Sequence, residues 1–197
     1  MLSHKEIHLN LPNSDISYYP NFFSKSEALD FYNTILNETN WRQDNITIFG
    51  KTYAQPRLTA LFANNKKTYS YSNITMHPEP FTKTLLTIKS KIETLTDVNF
   101  TTCLANLYRD GKDSNGWHAD NEKELGKNPV IASITLGAAR HFSLKHKNDK
   151  NLKHKLLLEN GSLLLMKGET QHFWLHQIAK TKKEVKPRIN LTFRVIY

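Results

Sequence analysis

The chain has 197 residues, of which 39% are hydrophobic and 23% charged, a size and balance that favour one folded domain and exclude wholesale disorder. No apolar run approaches the ~18 residues of a membrane span, Met1-Leu2-Ser3-His4-Lys5 opens no signal peptide, and the single cysteine, Cys103, cannot close an internal disulfide, which suits a reducing intracellular compartment. Lys+Arg 27 against Asp+Glu 18 leaves a net charge of +9, which fits a nucleic-acid partner but does not by itself separate one from a merely basic surface.

Ser24-Lys25-Ser26-Glu27 has the form of a capping box, and Leu29, Tyr32 and Leu36 follow at helical spacing, predicting a helix over 25–38. Phe81, Leu85, Ile88, Ile92 and Leu95 step by four, three, four and three, which places all five on one face of a second, core-facing helix. From about residue 98 the period changes. Short apolar or alternating runs at 100–108, 130–136, 141–144, 156–158, 163–166, 173–178 and 189–197 predict strands. Asn160-Gly161 signals a hairpin turn between two of them. Many short strands with tight turns indicate an antiparallel sandwich or barrel, preceded by a segment of helices and hairpins. Segment 145–155, with five lysines and two histidines, reads as an exposed loop, either simply solvated or facing a nucleic acid.

Among nine histidines, His118 has an Asp two positions later in Trp117-His118-Ala119-Asp120. Two residues apart on a strand or its exit, both side chains point to one side. Such pairs arise cheaply, as His77-Pro78-Glu79 shows. A later aromatic run, His172-Phe173-Trp174-Leu175-His176, offers a third ligand from either histidine, since period two places both on one face. The terminal run Arg188-Ile189-Asn190-Leu191-Thr192-Phe193-Arg194-Val195 then puts Arg188, Asn190, Thr192 and Arg194 on one strand face and four apolar residues on the other. Two arginines, an amide and a hydroxyl in a row suit an anionic carboxylate ligand. Two histidines and a carboxylate match the facial triad of non-haem Fe(II) oxygenases, whose open positions take a 2-oxo acid and oxygen. Zinc is the competing metal, but it leaves the arginine strand without a role.

Taken together these residues resemble the AlkB family of iron- and 2-oxoglutarate-dependent nucleic-acid dealkylases. Arg188-Ile189-Asn190-Leu191-Thr192-Phe193-Arg194 matches its Arg-x-Asn-x-Thr-x-Arg signature, and Asn106-Leu107-Tyr108 with His118-Ala119-Asp120 matches its Asn-x-Tyr and His-x-Asp segment. The resemblance covers residues 40–197 and is strongest to the member that repairs double-stranded DNA in animal nuclei. Ile48-Phe49-Gly50-Lys51, Pro56-Arg57, Thr68 to Ser72 and Ala132 to Ala138 carry this further likeness.

The resemblance implies a mainly β, α+β fold: a double-stranded β-helix (jelly-roll) core over 98–197, with N-terminal helices and a nucleotide-recognition hairpin lid over 1–97, in one domain. It implies His118, Asp120 and His176 as ligands of Fe(II), and Asn106, Tyr108, Arg188, Thr192 and Arg194 as contacts of 2-oxoglutarate, with O2 the second co-substrate. His172 and His141 then take supporting or structural places. Phe49 resembles the finger residue that fills the gap left by a flipped base, beside Gly50 and Lys51. Arg57, Tyr69, Ser70, Tyr71, Asn121 and Glu122 fall in the segments that hold the damaged base, although the double-strand member has an acidic residue where this chain has Asn121. The implied reaction is oxidative demethylation of N-alkylated bases such as 1-methyladenine and 3-methylcytosine in duplex DNA, releasing formaldehyde and succinate. Damage on the pairing edge weakens the base pair, so extrusion of that base costs less. The implied partner is DNA, bound without a membrane by a monomer that is cytoplasmic in a bacterium and nuclear in a eukaryote. Two alternatives share the core: an oxygenase of RNA or protein, and a non-catalytic nucleic-acid-binding protein.

Overall fold

The computed structural model describes residues 5–48, 50–65, 69–71 and 74–197, with the main chain alone at 48, 69–71, 74 and 75. The change of period near residue 98 marks the start of eight strands: β1 Thr102–Tyr108, β2 Asn115–His118, β3 Ile131–Gly137, β4 Arg140–His146, β5 Lys153–Leu158, β6 Ser162–Lys167, β7 Trp174–Ile178 and β8 Arg188–Arg194. They form two facing sheets, β6-β3-β8-β1 and β2-β7-β4-β5. This is the expected jelly-roll. Strands from the first half of the chain extend the larger sheet, Asp15–Tyr19 and Ile7–His8 beside β6, and Leu58–Ala63 and Glu79–Pro80 beside β1. Two hairpins stand apart from it, Asn45–Ile48 with Lys51–Ala54 and Tyr69–Tyr71 with Ile74–Met76.

Helix α1, Lys25–Glu38, begins where the capping box predicts: Ser24 Oγ accepts from the Glu27 amide at 3.2 Å, and Glu27 Oε2 accepts from the Ser24 amide at 2.8 Å. Of the predicted face, Tyr32 and Leu36 pack partly buried against the core and only Leu29 does not. Ala28 and Ile35 are buried, whereas Leu29 is 55% exposed. Helix α2, Lys83–Glu93, buries Leu85, Ile88 and Ile92 as their spacing requires; Leu95 lies past its end and is exposed. Both helices cover the outer face of the larger sheet, where they pack with Ile189, Leu191 and Phe193, the apolar side of β8. Each such buried side chain contributes about 1.5–3 kcal/mol. Ser24→Ala is expected to cost about 1 kcal/mol and to lower the melting temperature by about 2–4 °C. A thermal melt coinciding with the parent's would remove the cap from the folding account.

Three expectations need correction. Asn160-Gly161 does not join a hairpin: β5 and β6 lie in different sheets, so the turn carries the chain from one to the other. Gly161 has φ +75°, and a Cβ there would lie 2.8 Å from the Phe23 carbonyl oxygen, so the corner requires glycine. The hairpin is instead β4–β5, and of the predicted loop 145–155 only 147–152 is unpaired. His172 sits in a short helical turn, α3 (Thr170–Phe173), rather than on the strand that carries His176.

Candidate active site

The polar residues of β8 are placed by their neighbours' register. Arg188, Asn190 and Thr192 stand opposite Tyr108, Asn106 and Leu104 of β1 on one side, and opposite Gly137, Thr135 and Ser133 of β3 on the other. This row faces a cavity between the sheets whose opposite wall includes His118 and His176. His118 ends β2, His176 lies in β7 as its paired residue, and Asp120 follows two residues beyond β2. Candidate ligand atoms of the three lie within 4.8 Å of one another.

The local contacts fix these groups. His118 Nδ1 lies 2.7 Å from the Gly116 carbonyl and so carries the proton, leaving the Nε2 lone pair 4.0 Å from Asp120 Oδ1. Asn115 Nδ2 donates to that Nε2 at 3.2 Å. His176 Nε2 lies 3.8 Å from Asp120 Oδ2, and its ring stacks on Phe142. Burial pushes His176 down to about 3, with His118 and Arg194 adding to the effect against Asp120, so its imidazole is neutral and able to coordinate at pH 7. Burial raises the Asp120 carboxyl, but Arg194 and the two imidazoles outweigh it and hold the group below the ordinary carboxylate range. Two imidazoles and one carboxylate on adjoining elements form a three-sided cage for a divalent cation with open positions on its fourth side.

On the other wall, Arg188 is fully buried. Its Nη2 donates to Thr135 Oγ1 at 2.8 Å and its guanidinium lies over the Tyr108 ring, while Nε and Nη1 have no hydrogen-bond partner among the described residues. Among the described residues no carboxylate pairs with it. Burial lowers Arg188 to about 10, against the pull of Tyr108, and it stays charged at neutral pH. A buried cation with unused donors at Nε and Nη1, each beside the second N–H of Nη2, fits an incoming carboxylate, which such a pair can bind bidentately. The cavity thus fits both halves of an iron and 2-oxo acid site.

Some predicted co-substrate and substrate residues have partners within the protein. Arg194 Nη2 donates to Asp120 Oδ1 at 2.9 Å, so this arginine touches the candidate metal ligand. Arg57 is buried in the same cavity, where its Nε donates to Asn106 Oδ1 at 2.7 Å and Nη1 to the Ser114 carbonyl. Thr192 Oγ1 donates to Asn190 Oδ1, and Asn190 Nδ2 donates to Ser133 Oγ and the Ile134 carbonyl. Asn121, exposed, and Glu122 follow Asp120 directly. Gly50 and Lys51 are exposed on the first hairpin; Phe49 and the side chains of Tyr69, Ser70 and Tyr71 lie outside the described residues. His172 bonds Asn128 and His141 is exposed, so neither joins the cluster. Asn115 and Gln171, absent from the sequence reading, belong to the site through contacts that only the folded chain creates.

A jelly-roll with a His-x-Asp…His cage facing a buried arginine defines an Fe(II)- and 2-oxoglutarate-dependent dioxygenase. The chain matches the 2OG-Fe(II) oxygenase superfamily over residues 15–194 and belongs to it, as a member of the AlkB family. It is 40% identical over 193 residues to the mouse alpha-ketoglutarate-dependent dioxygenase alkB homolog 3, covering 93% of this chain and 67% of that protein. It is 33% identical over 199 residues to the human DNA oxidative demethylase ALKBH2, covering 96% and 76%. The solved structure of OsALKBH1 superposes over 97% of this chain and 100% of its own with a TM-score of 0.70; at 16% identity it speaks to the fold. Among the described residues no helix is long and apolar enough to cross a membrane.

Proposed function

We propose that this enzyme removes alkyl groups oxidatively from N-alkylated bases, 1-methyladenine and 3-methylcytosine among them, in duplex DNA. The observation that carries the reading is the buried Arg188 with two unused donors in the same cavity as His118, Asp120 and His176, in a chain whose relatives include a DNA oxidative demethylase. His118, Asp120 and His176 hold Fe(II); Arg188 takes the distal carboxylate of 2-oxoglutarate, and Tyr108 and Asn106 flank it. Bound there, iron with 2-oxoglutarate and O2 supplies the oxidation that hydroxylates the N-methyl carbon, after which the hemiaminal releases formaldehyde. Arg194 keeps Asp120 ionised and aimed inward, and Arg57 holds Asn106 in place from the substrate side. Lys145, Lys153 and Lys155 make no ion pair among the described residues, which favours a polyanionic partner on the strands around the β4–β5 turn. The test is iron- and 2-oxoglutarate-dependent formaldehyde release from matched methylated duplex DNA, single-stranded DNA and RNA. Preference for RNA would replace the DNA reading, and release from none of them would end it.

Duplex preference rests on Phe49, which stands between Ile48 and Gly50 in the sequence. If it fills the vacated stack, it offsets part of an unpairing cost of about a few kcal/mol that a single strand scarcely carries. Phe49→Ala should therefore depress turnover of methylated duplex far more than of methylated single strand, at an unchanged melting temperature. Equal losses on the two would take the finger role from Phe49.

A further inference from the structure

The fold places an uncharged side chain behind the carboxylate of the metal cage. Gln171, in α3, is 1% exposed. Its Oε1 accepts from the backbone amide of Asp120 at 2.9 Å across 51 positions of sequence. Its Nε2 has a weak acceptor, Met166 Sδ at 3.5 Å. A buried amide that spends its donor on a thioether is a costly choice for core packing alone, because a leucine or methionine of similar volume would carry no polar atoms to satisfy. The α3 main chain is itself fixed from the β4–β5 turn: Lys147 Nζ donates to the Gln171 carbonyl at 2.9 Å, and the Lys147 amide donates to the Phe173 carbonyl at 2.7 Å. Three residues after α3 comes His176. One glutamine therefore ties the loop that carries Asp120 to the element that leads into the second histidine.

We infer that Gln171 is a positioning residue for the metal: it fixes the Asp120 main chain so that the carboxylate reaches the cation already aligned with His118 and His176. Arg194 holds the carboxylate oxygen and Gln171 holds the peptide behind it, so the Asp120 side chain pivots between two fixed points. This assignment rests on the reading of His118, Asp120 and His176 as metal ligands. Partners of this kind, one contact removed from the metal, change its affinity about 10- to 100-fold when replaced.

The experiment is a titration of the metal-free protein with Co(II), followed by its visible absorption, for wild type, H118A, Q171M and Q171E, with 2-oxoglutarate KM and melting temperature measured beside it. Wild type should bind one Co(II) saturably and H118A should not; no saturable binding by wild type would overturn the metal site itself, a failure distinct from that of Gln171. Q171M keeps the volume and loses the acceptor, and should weaken Co(II) at least about tenfold while 2-oxoglutarate KM at saturating metal stays within about twofold. Q171E keeps an acceptor for the Asp120 amide whether or not it is ionised, and should bind Co(II) at least as tightly as wild type to within about threefold. Q171M with wild-type Co(II) affinity would overturn the assignment. So would a Q171M defect that Q171E shares in full, or one that falls equally on metal and co-substrate, since either pattern marks packing rather than positioning. Should Q171M fail to fold, Q171E alone decides: loss of Co(II) affinity in the folded variant overturns it.

Discussion

Replacing His118 with alanine is expected to bring demethylation to background while leaving DNA affinity largely intact. In the proposed site the ring holds one of three ligand positions, and its neighbours Asn115 and Gly116 offer an amide and a carbonyl, neither of which replaces an imidazole nitrogen. The phosphate contacts proposed for Lys145, Lys153 and Lys155 lie on other strands, so salt-dependent binding should survive. Asp120→Ala should give the same loss of turnover with an added cost in stability, because the buried guanidinium of Arg194 loses the carboxylate it donates to. His118→Ala is therefore the cleaner variant, with formaldehyde release and a DNA-binding isotherm measured on the same preparation. Turnover near that of wild type in either purified variant would remove the triad. A parallel loss of DNA binding would mean that the substitution had disturbed more than the metal.

The parts of this site that local pattern can encode were legible in the sequence. The terminal strand announced itself because period two separates Arg188, Asn190, Thr192 and Arg194 from Ile189, Leu191 and Phe193 whatever the strand packs against. The capping box at Ser24 and the stepping of Leu85, Ile88 and Ile92 are likewise properties of a few neighbouring residues. The strand that delivers His118 was not among the predicted runs. Asn115-Gly116-Trp117-His118 is short, polar and largely accessible, so it shows no apolar alternation. Asn160-Gly161 reports a left-handed turn but carries no information about which sheet the chain enters next. Leu29 misled because helical spacing defines a stripe only to within a residue, and the sheet beneath α1 chose Ala28 and Ile35. The contacts of Arg57 with Asn106 and of Gln171 with Asp120 join residues about fifty positions apart, and spacing along one chain has no means of reporting them.

Arg188→Lys is expected to raise the 2-oxoglutarate KM about tenfold to a hundredfold with a smaller effect on turnover at saturation. Nε and Nη1 have no partner among the described residues and Nη2 carries a second N–H beside the one given to Thr135, so Nη2 with either neighbour can offer two parallel donors to one carboxylate without giving up the anchor. Lysine is a compact point charge without the planar fork, so it cannot bind the carboxylate through two parallel donors. Charge-assisted hydrogen bonds are worth about 1.5–3 kcal/mol each, and loss of one accounts for the expected change. Burial gives the comparison a second readout. Arg188 carries a desolvated charge with no carboxylate partner among the described residues, so 2-oxoglutarate should stabilise the folded protein by relieving it, and the rise in melting temperature with co-substrate should be marked in wild type and weak in Arg188→Lys. Arg188→Met separates charge from anchoring: without a buried cation to desolvate it should match or exceed wild-type stability in the absence of co-substrate, yet gain nothing from 2-oxoglutarate. If Arg188→Lys titrates with 2-oxoglutarate as wild type does, and Arg188→Met still melts higher in its presence, the distal carboxylate is held elsewhere than at Arg188.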